Sequence, residues 1–208
     1  MILKARHHPV IHPFFIRYGE WKMKLHFHGA QILGSCRETA LPVMLVANHV
    51  SWWDGFWASH FNALVLKRKL YFMMLEEQLL KYRYFRNAGG YSVRKGSRSI
   101  LETIDYTAGL LSDSRNAVLM FPQGKIESLY QREFSFERGI GKILQKLNGD
   151  VQIVFLANLV DYYSLPKPSL FIHCMDFQEA RRSVDILQKE YNDFYRRCIA
   201  EHIRRTGE

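Results

Sequence analysis

The chain has 208 residues, enough for one domain whose apolar core needs no disulfide or metal staple. Hydrophobic residues make up 48% and charged residues 24%, which excludes a disordered chain, and no run approaches the ~18 apolar residues of a membrane-spanning helix. Lys and Arg outnumber Asp and Glu by 29 to 20, a net charge of +9 that suits an anionic partner such as nucleic acid, an anionic membrane or a phosphorylated substrate.

Residues 11–25 (IHPFFIRYGEWKMKL) place Phe14, Phe15, Tyr18, Trp21 and Leu25 at helical spacing, with Arg17, Lys22 and Lys24 on other faces. Trp, Phe and basic residues on one short helix suit the interfacial zone of a bilayer or, equally, packing on the domain. Residues 1–30 are accordingly read as an amphipathic membrane-surface segment and 31–208 as the domain itself. No signal peptide is read, because no uninterrupted apolar stretch follows the basic opening.

A turn is expected at Gly34-Ser35. Residues 43–47 (VMLVA) read as a buried strand that ends in Asn48-His49, and 52–66 as a helix. A second strand is expected over 70–75 and a basic helix over 76–88, stopped by Gly89-Gly90 and followed by a short extended piece, 91–94. A helix over 97–113, with Ser97 as its cap, leads to a third buried strand over 117–122, ended by Pro122. A helix over 137–148, strands over 151–160 and 169–175, and a last helix over 178–204 complete the chain. This alternation predicts an α/β fold: a mixed, largely parallel central sheet flanked by helices, with the amphipathic helical segment at the N-terminus.

Between Lys67 and Arg98 nine basic residues face only Glu76 and Glu77, which suits anionic head groups or a solvated basic face. The three cysteines, Cys36, Cys174 and Cys198, are far apart and lack CxxC spacing, so neither a disulfide framework nor a zinc site is expected and the setting is read as reducing and intracellular. His7, His8, His12, His26 and His28 have no Cys or carboxylate at ligand spacing, so no metal is expected.

The chemistry is concentrated in Asn48-His49-Val50-Ser51-Trp52-Trp53-Asp54, where a buried strand hands over to a helix. Residues five apart on a continuous helix diverge, but a turn at the helix start can fold the Asp54 carboxylate back onto the His49 ring. Asp54 would then fix the tautomer and leave the other ring nitrogen as a general base. Each residue also has a plain structural role open to it. Ser51-x-x-Asp54 matches a capping box, and Asn48 suits a turn. Trp52, Trp53, Phe56 and Trp57 would either wall the site and shield the base from water or pack as core.

NHVSWWD resembles the Asn-His-x4-Asp motif of the glycerolipid (lysophospholipid) acyltransferase family. Further blocks follow in that family's order. Gly90-Tyr91-Ser92-Val93-Arg94 is similar to its second block, Val118–Gly124 to its apolar strand plus Phe-Pro-Glu-Gly, and Ile153–Ala157 to its fourth. The resemblance implies transfer of an acyl group from acyl-CoA or acyl-carrier protein to a lipid hydroxyl, with no cofactor. His49 would be the base and Asp54 its orienter. Asn48, Arg94, Gln123, Gly124 and Lys125 would bind substrate, Arg94 through an acceptor phosphate and Gly124 through a close backbone approach to the thioester. A simple surface salt bridge is the competing role for Arg94.

The chain departs from the family pattern at two places. Gln123 stands where the family carries Glu, and Ile126 where it carries a phosphate-contacting Arg. A lysophosphatidic acid-type acceptor is the family default, and an unphosphorylated or glycosylated lipid alcohol is its rival. The partners implied are an anionic membrane surface, a lipid acceptor and an acyl thioester, at the cytoplasmic face of a membrane. A basic nucleic-acid-binding module is the alternative of another class, but no RNA-binding signature, zinc-finger spacing or base-reading helix appears. A catalytically silent membrane protein on the same scaffold is a third.

Overall fold

The computed structural model describes residues 2–94, 96–178 and 183–205. The chain runs through α1 (Ile11–His26), β1 (Gly29–Ser35), β2 (Val43–Ala47), α2 (Asp54–Phe61), β3 (Lys69–Leu75), α3 (Glu76–Lys81), α4 (Tyr84–Asn87) and β4 (Gly90–Val93). It continues through α5 (Ser99–Leu110), β5 (Asn116–Met120), α6 (Arg138–Lys146), β6 (Gln152–Asp161), β7 (Ser169–Phe177) and α7 (Val184–Ile203). The strands form one sheet in the order β1-β7-β6-β2-β5-β3-β4. Strands β2 to β6 run parallel, and β7 pairs antiparallel with β6 and parallel with β1. The fold is therefore the α/β architecture that the sequence predicts, with a largely parallel sheet between helices.

Parallel strands covered on both faces need continuous apolar runs, and β2 and β5 are buried at every position. The connections divide at one point. From β2 the chain passes through α2 toward β3 and β4, whereas from β5 it passes through α6 toward β6. Because such crossovers are right-handed, opposite directions place their helices on opposite faces. Thus α1 packs with α2 and α4 on one face, while α5, α6 and α7 line the other. The neighbouring strands β2 and β5 send their loops to opposite faces, and it is outside the carboxyl ends of such a strand pair that open α/β sheets form their binding crevice. His49 stands in the loop after β2, and Gln123 in the loop after β5.

Helix α1 seats Gly19 and Met23 inward, and a Cβ at Gly19 would lie 2.8 Å from the Phe56 ring, so this crossing of α1 over α2 needs a glycine. Its other face leaves Phe14, Trp21 and Leu25 exposed. The free edge of β4 is covered by residues 2–8. The Ser92 N–H donates to the Leu3 carbonyl (3.0 Å), and those of Arg6 and His8 donate to the Arg86 (2.7 Å) and Asn87 (3.1 Å) carbonyls. An edge that would otherwise invite another strand is closed by the chain's own strap.

The structure differs from several sequence expectations. The turn expected at Gly34-Ser35 is the end of β1. Gly34 has φ +84°, and a Cβ there would sit 2.3 Å from the Cys174 carbonyl oxygen, so glycine serves close strand approach rather than a reversal. The single helix expected over 76–88 is two short ones, broken at Tyr82. There the aromatic rings of Tyr82, Tyr84 and Phe85 cluster, with Phe15 packed on the latter two. Tertiary contacts override local propensity here.

At α5 the Ser97 hydroxyl accepts the Ser99 N–H (3.3 Å), but the helix spans only Ser99–Leu110. Strand β5 stops at Met120, two residues short of Pro122. Helix α7 starts at Val184, where the Ser183 hydroxyl accepts the Ile186 N–H (3.2 Å). Residues 179–182, the expected first turn of that helix, lie outside the described residues. The Lys67-Arg68-Lys69 run lies at the amino end of β3, across the sheet from His49. Arg68 donates there to the Ser114 carbonyl (2.7 Å) and to that of Thr39, so it ties loops together.

Candidate active site

The backbone turns sharply between Ala47 and Asp54, and the turn does what the five-residue spacing requires. The His49 Nδ1 lies 2.7 Å from Asp54 Oδ2, and the same oxygen accepts the N–H groups of Val50 (2.7 Å) and Ser51 (2.9 Å). The Ser51 hydroxyl accepts the Trp53 N–H (3.2 Å). Asp54 therefore holds both the imidazole and the turn that precedes α2; the amides it accepts belong to that turn and not to the helix, which has no side-chain cap. Its side chain is 0% exposed while that of His49 is 25% exposed, which seals the carboxylate and leaves the ring reachable. Burial pushes the Asp54 carboxyl above its ordinary value, opposed by the hydrogen bonds from His49, Ser51 and Val50. Three donors converging on one oxygen suit a carboxylate, so Nδ1 carries the ring proton and Nε2 is the nitrogen left for a substrate.

Asn48 completes the sheet with its side chain. Its Nδ2 donates to the Asn158 carbonyl (2.9 Å), and the Asn158 N–H donates to its Oδ1 (2.8 Å). An amide thus replaces the next rung of the β2–β6 ladder, so the main chain of β2 can leave the sheet at His49 without orphaning β6. Asn48 is fully buried, and both ends of its amide are occupied in this way.

The loop after β5 clamps His49 from the other side. The His49 N–H donates to Gln123 Oε1 (2.7 Å), and the Glu127 N–H donates to the His49 carbonyl (2.8 Å). The imidazole stacks on Phe121, with centroids 4.2 Å apart and planes inclined by 13°. Gln123 Nε2 donates to Glu127 Oε2 (3.0 Å) and approaches the His49 carbonyl (3.5 Å). Gly124 has φ +66°, and its N–H donates to the Phe121 carbonyl (3.0 Å) to close the turn. Lys125 reaches out to Glu127 (Nζ to Oε1 3.1 Å) and is largely exposed.

Farther along, the loop is pinned to α7. Asn192 accepts the Phe134 N–H (2.9 Å) and donates to the Phe134 carbonyl (3.0 Å), and Gln188 accepts the Phe136 N–H (2.7 Å).

Arg94 follows β4 at the same sheet edge, three strands from β2, and its guanidinium is paired with Glu76. His49, Asp54, Asn48, Gln123 and Gly124 thus converge at the β2–β5 crevice, whereas Arg94 stands apart on that edge. Of the aromatics after His49, Trp57 is buried against Phe27, and Trp52 is exposed over Trp53 and Phe56. Sequence reasoning did not single out Phe121, Glu127 or Asn158. The acidic Glu127 four residues after the unusual Gln123 is a signal that a search for compensating charge would have caught. Among the described residues no group of three or more His, Cys, Asp or Glu is placed to hold a metal, and no helix is long and apolar enough to cross a membrane.

A buried carboxylate behind a reachable imidazole, at the switch point of a parallel sheet, is the arrangement that general-base chemistry requires. The family model described as Acyltransferase matches residues 24–157, which is more than half of the chain. The chain belongs to this acyltransferase family, as its four sequence blocks imply, and it is an acyltransferase. No curated protein matches it significantly in sequence. Its fold is similar to that of the 1-acyl-sn-glycerophosphate (LPA) acyltransferase PlsC from Thermotoga maritima. The TM-score is 0.66, the identity 19%, and the match covers 94% of this chain and 81% of that one.

Proposed function

We propose that the chain is a peripheral membrane O-acyltransferase that moves a fatty acyl group from acyl-CoA or acyl-carrier protein to a lipid hydroxyl. The observation that carries it is the 2.7 Å contact of His49 Nδ1 with the sealed Asp54 carboxylate, which leaves Nε2 as the uncommitted nitrogen of a ring that is 25% exposed. His49 Nε2 removes the acceptor's hydroxyl proton as that oxygen attacks the thioester carbonyl carbon. The C–S bond then breaks and the imidazolium returns its proton to the departing sulfur, giving an ester and a free thiol. Asp54 stabilises the transient imidazolium. Gly124 shapes the turn beside the base, its N–H donating to the Phe121 carbonyl at 3.0 Å. No metal or cofactor takes part in this scheme.

The favoured acceptor is a lysophosphatidic acid-type glycerolipid. Support comes from Arg94 on the site's own sheet edge and from the fold likeness to an LPA acyltransferase. One observation favours the rival, an unphosphorylated or glycosylated lipid alcohol. Arg94 and Lys125 already have carboxylate partners in Glu76 and Glu127, and position 126 is an exposed Ile. The membrane surface is supported by Phe14, Trp21 and Leu25 exposed on one helix beside Lys22 and Lys24, with the cytoplasmic face of the bilayer as the expected location.

The test is release of free thiol from labelled acyl-CoA or acyl-carrier protein by purified protein, against phosphorylated and sugar-bearing lipid alcohols. His49→Ala is expected to lower turnover by about 10²- to 10⁴-fold with the fold intact. Arg94→Ala is expected to raise the Michaelis constant for a phosphorylated acceptor. An active His49→Ala enzyme would end the base assignment, and an indifferent Arg94→Ala enzyme would end the phosphorylated acceptor.

A further inference from the structure

We infer that Glu127 is a positioning residue for His49, acting through the side-chain amide of Gln123; this rests on His49 being the base. An amide has two unlike ends, and the Gln123 side chain is almost wholly buried, so its orientation has consequences. The His49 N–H requires an oxygen opposite it, and Oε1 is there at 2.7 Å. The Nε2 end lies at a long 3.5 Å from the His49 carbonyl and has its close acceptor in Glu127 Oε2 at 3.0 Å. A flipped amide would set NH₂ against the His49 N–H and oxygen against the Glu127 carboxylate, repulsive at both ends. Glu127 thus selects the one orientation that holds His49.

Glu127 is itself held in two ways. Its N–H donates to the His49 carbonyl at 2.8 Å, and Lys125 Nζ lies 3.1 Å from its Oε1. The hydrogen bond from Gln123, aided by Lys125, keeps its carboxyl below the ordinary carboxylate value, so it stays charged at neutral pH. The result is a closed loop of contacts from His49 N–H through Gln123 and Glu127 back to the His49 carbonyl. It fixes both polar groups of the base's own peptide, while Asp54 and Phe121 fix the ring. Gln at 123 and a carboxylate at 127 form a matched pair. A carboxylate at 123 would face that of Glu127 across the 3.0 Å now spanned by a hydrogen bond, and like charges at that range resist joint ionisation.

The experiment compares the full-length wild type with Glu127→Ala, Gln123→Glu, the swap Gln123→Glu/Glu127→Gln, and His49→Ala. One readout is thiol release from palmitoyl-CoA with 1-palmitoyl-glycerol-3-phosphate. The other is amide hydrogen exchange of His49, read by NMR on each folded variant, which reports positioning whichever acceptor the enzyme prefers. Glu127→Ala is expected to lower kcat about tenfold, to change the palmitoyl-CoA KM less than about twofold, and to speed His49 exchange about tenfold. Gln123→Glu is expected to lose activity as pH rises, and the swap to restore kcat to within about threefold of wild type.

Unchanged His49 exchange in Glu127→Ala, or a loss carried wholly by KM, would overturn the inference. So would a swap no better than Gln123→Glu alone. Turnover by His49→Ala would instead remove the base assignment, and exchange in Glu127→Ala would still report whether the peptide is held.

Discussion

The imidazole of His49 lies flat on the ring of Phe121, 4.2 Å between centroids, so the residue just after β5 supports the base just after β2. An aromatic pair of this kind is worth about 0.5–1.5 kcal/mol beyond its buried area, or roughly two- to twelvefold in a rate that depends on ring orientation. Phe121→Leu keeps the site apolar and removes the stacking surface. Its expected effect is a kcat reduced within that range, with circular dichroism unchanged. A wild-type kcat would show that Asp54 alone holds the ring.

Asp54 is ionised at a cost in stability. Its folded-state value is raised above the ordinary 3.8 by burial, so the folded chain binds a proton there more readily than the unfolded one. The stability that Asp54 contributes is complete below 3.8 and declines as pH rises through the interval up to the raised value. Asp54→Asn removes the titration. Thermal melts should show the stability difference between variant and wild type moving in the variant's favour from pH 3.8 toward neutrality, while kcat falls on the order of a thousandfold. A pH-independent difference would contradict the linkage.

Asn48→Ala should act through the sheet. It leaves the buried N–H and carbonyl of Asn158 without their side-chain partners, a loss of about 2–3 kcal/mol in unfolding free energy by denaturant titration. An Asn48→Ala protein as stable as wild type would mean that β6 finds other partners.

The strap over β4 should respond to acid. His7 Nε2 contacts the Leu70 carbonyl at 2.9 Å, with His12 and Tyr71 against its ring and Lys69 nearby. Burial lowers its value to about 4 from 6.5, so the ring is neutral in the folded strap and gains a proton on release. The stability from His7 is intact above pH 6.5 and is lost progressively as pH falls to about 4. Protection of the Arg6, His8 and Ser92 amides, measured against the intrinsic exchange rate at each pH, should fall over that window in wild type and less so in His7→Gln. Equal loss of protection in both would place the acid response elsewhere.

Membrane contact has its own test. Phe14→Ser/Trp21→Ser removes two exposed apolar anchors while Gly19 and Met23 keep α1 docked on the domain. Wild type should float with vesicles containing anionic lipid, less at high salt, and the double variant should remain in solution. Indifference of wild type to such vesicles would remove the surface assignment for α1.

Much of the fold is legible in the sequence, because parallel strands buried on both faces announce themselves as apolar runs. Val43–Ala47, Asn116–Met120 and Gln152–Asp161 all do so, and the His49–Asp54 pair stands where the first of them ends. Strand β1 is not legible in this way. It is an edge strand with mostly exposed side chains and two glycines, so neither alternation nor an apolar run marks it. The four-residue spacing of Gln123 and Glu127 is local, but their contact with His49 and the pairing of Arg94 with Glu76 are set by which strands lie side by side, which no local pattern encodes. The break at Tyr82 lies beside Tyr84 and Phe85, on which Phe15 of the distant α1 packs.

Because the ladder rung supplied by Asn48 is completed only by Asn158, the base cannot be seated by the part of the chain that contains it. A ribosome that has released β2 and α2 has made the histidine but not its support, which arrives with β5 and then β6, 110 positions downstream. Activity should therefore appear late in synthesis and all at once, and fragments ending before β6 should be inert however well their helices form.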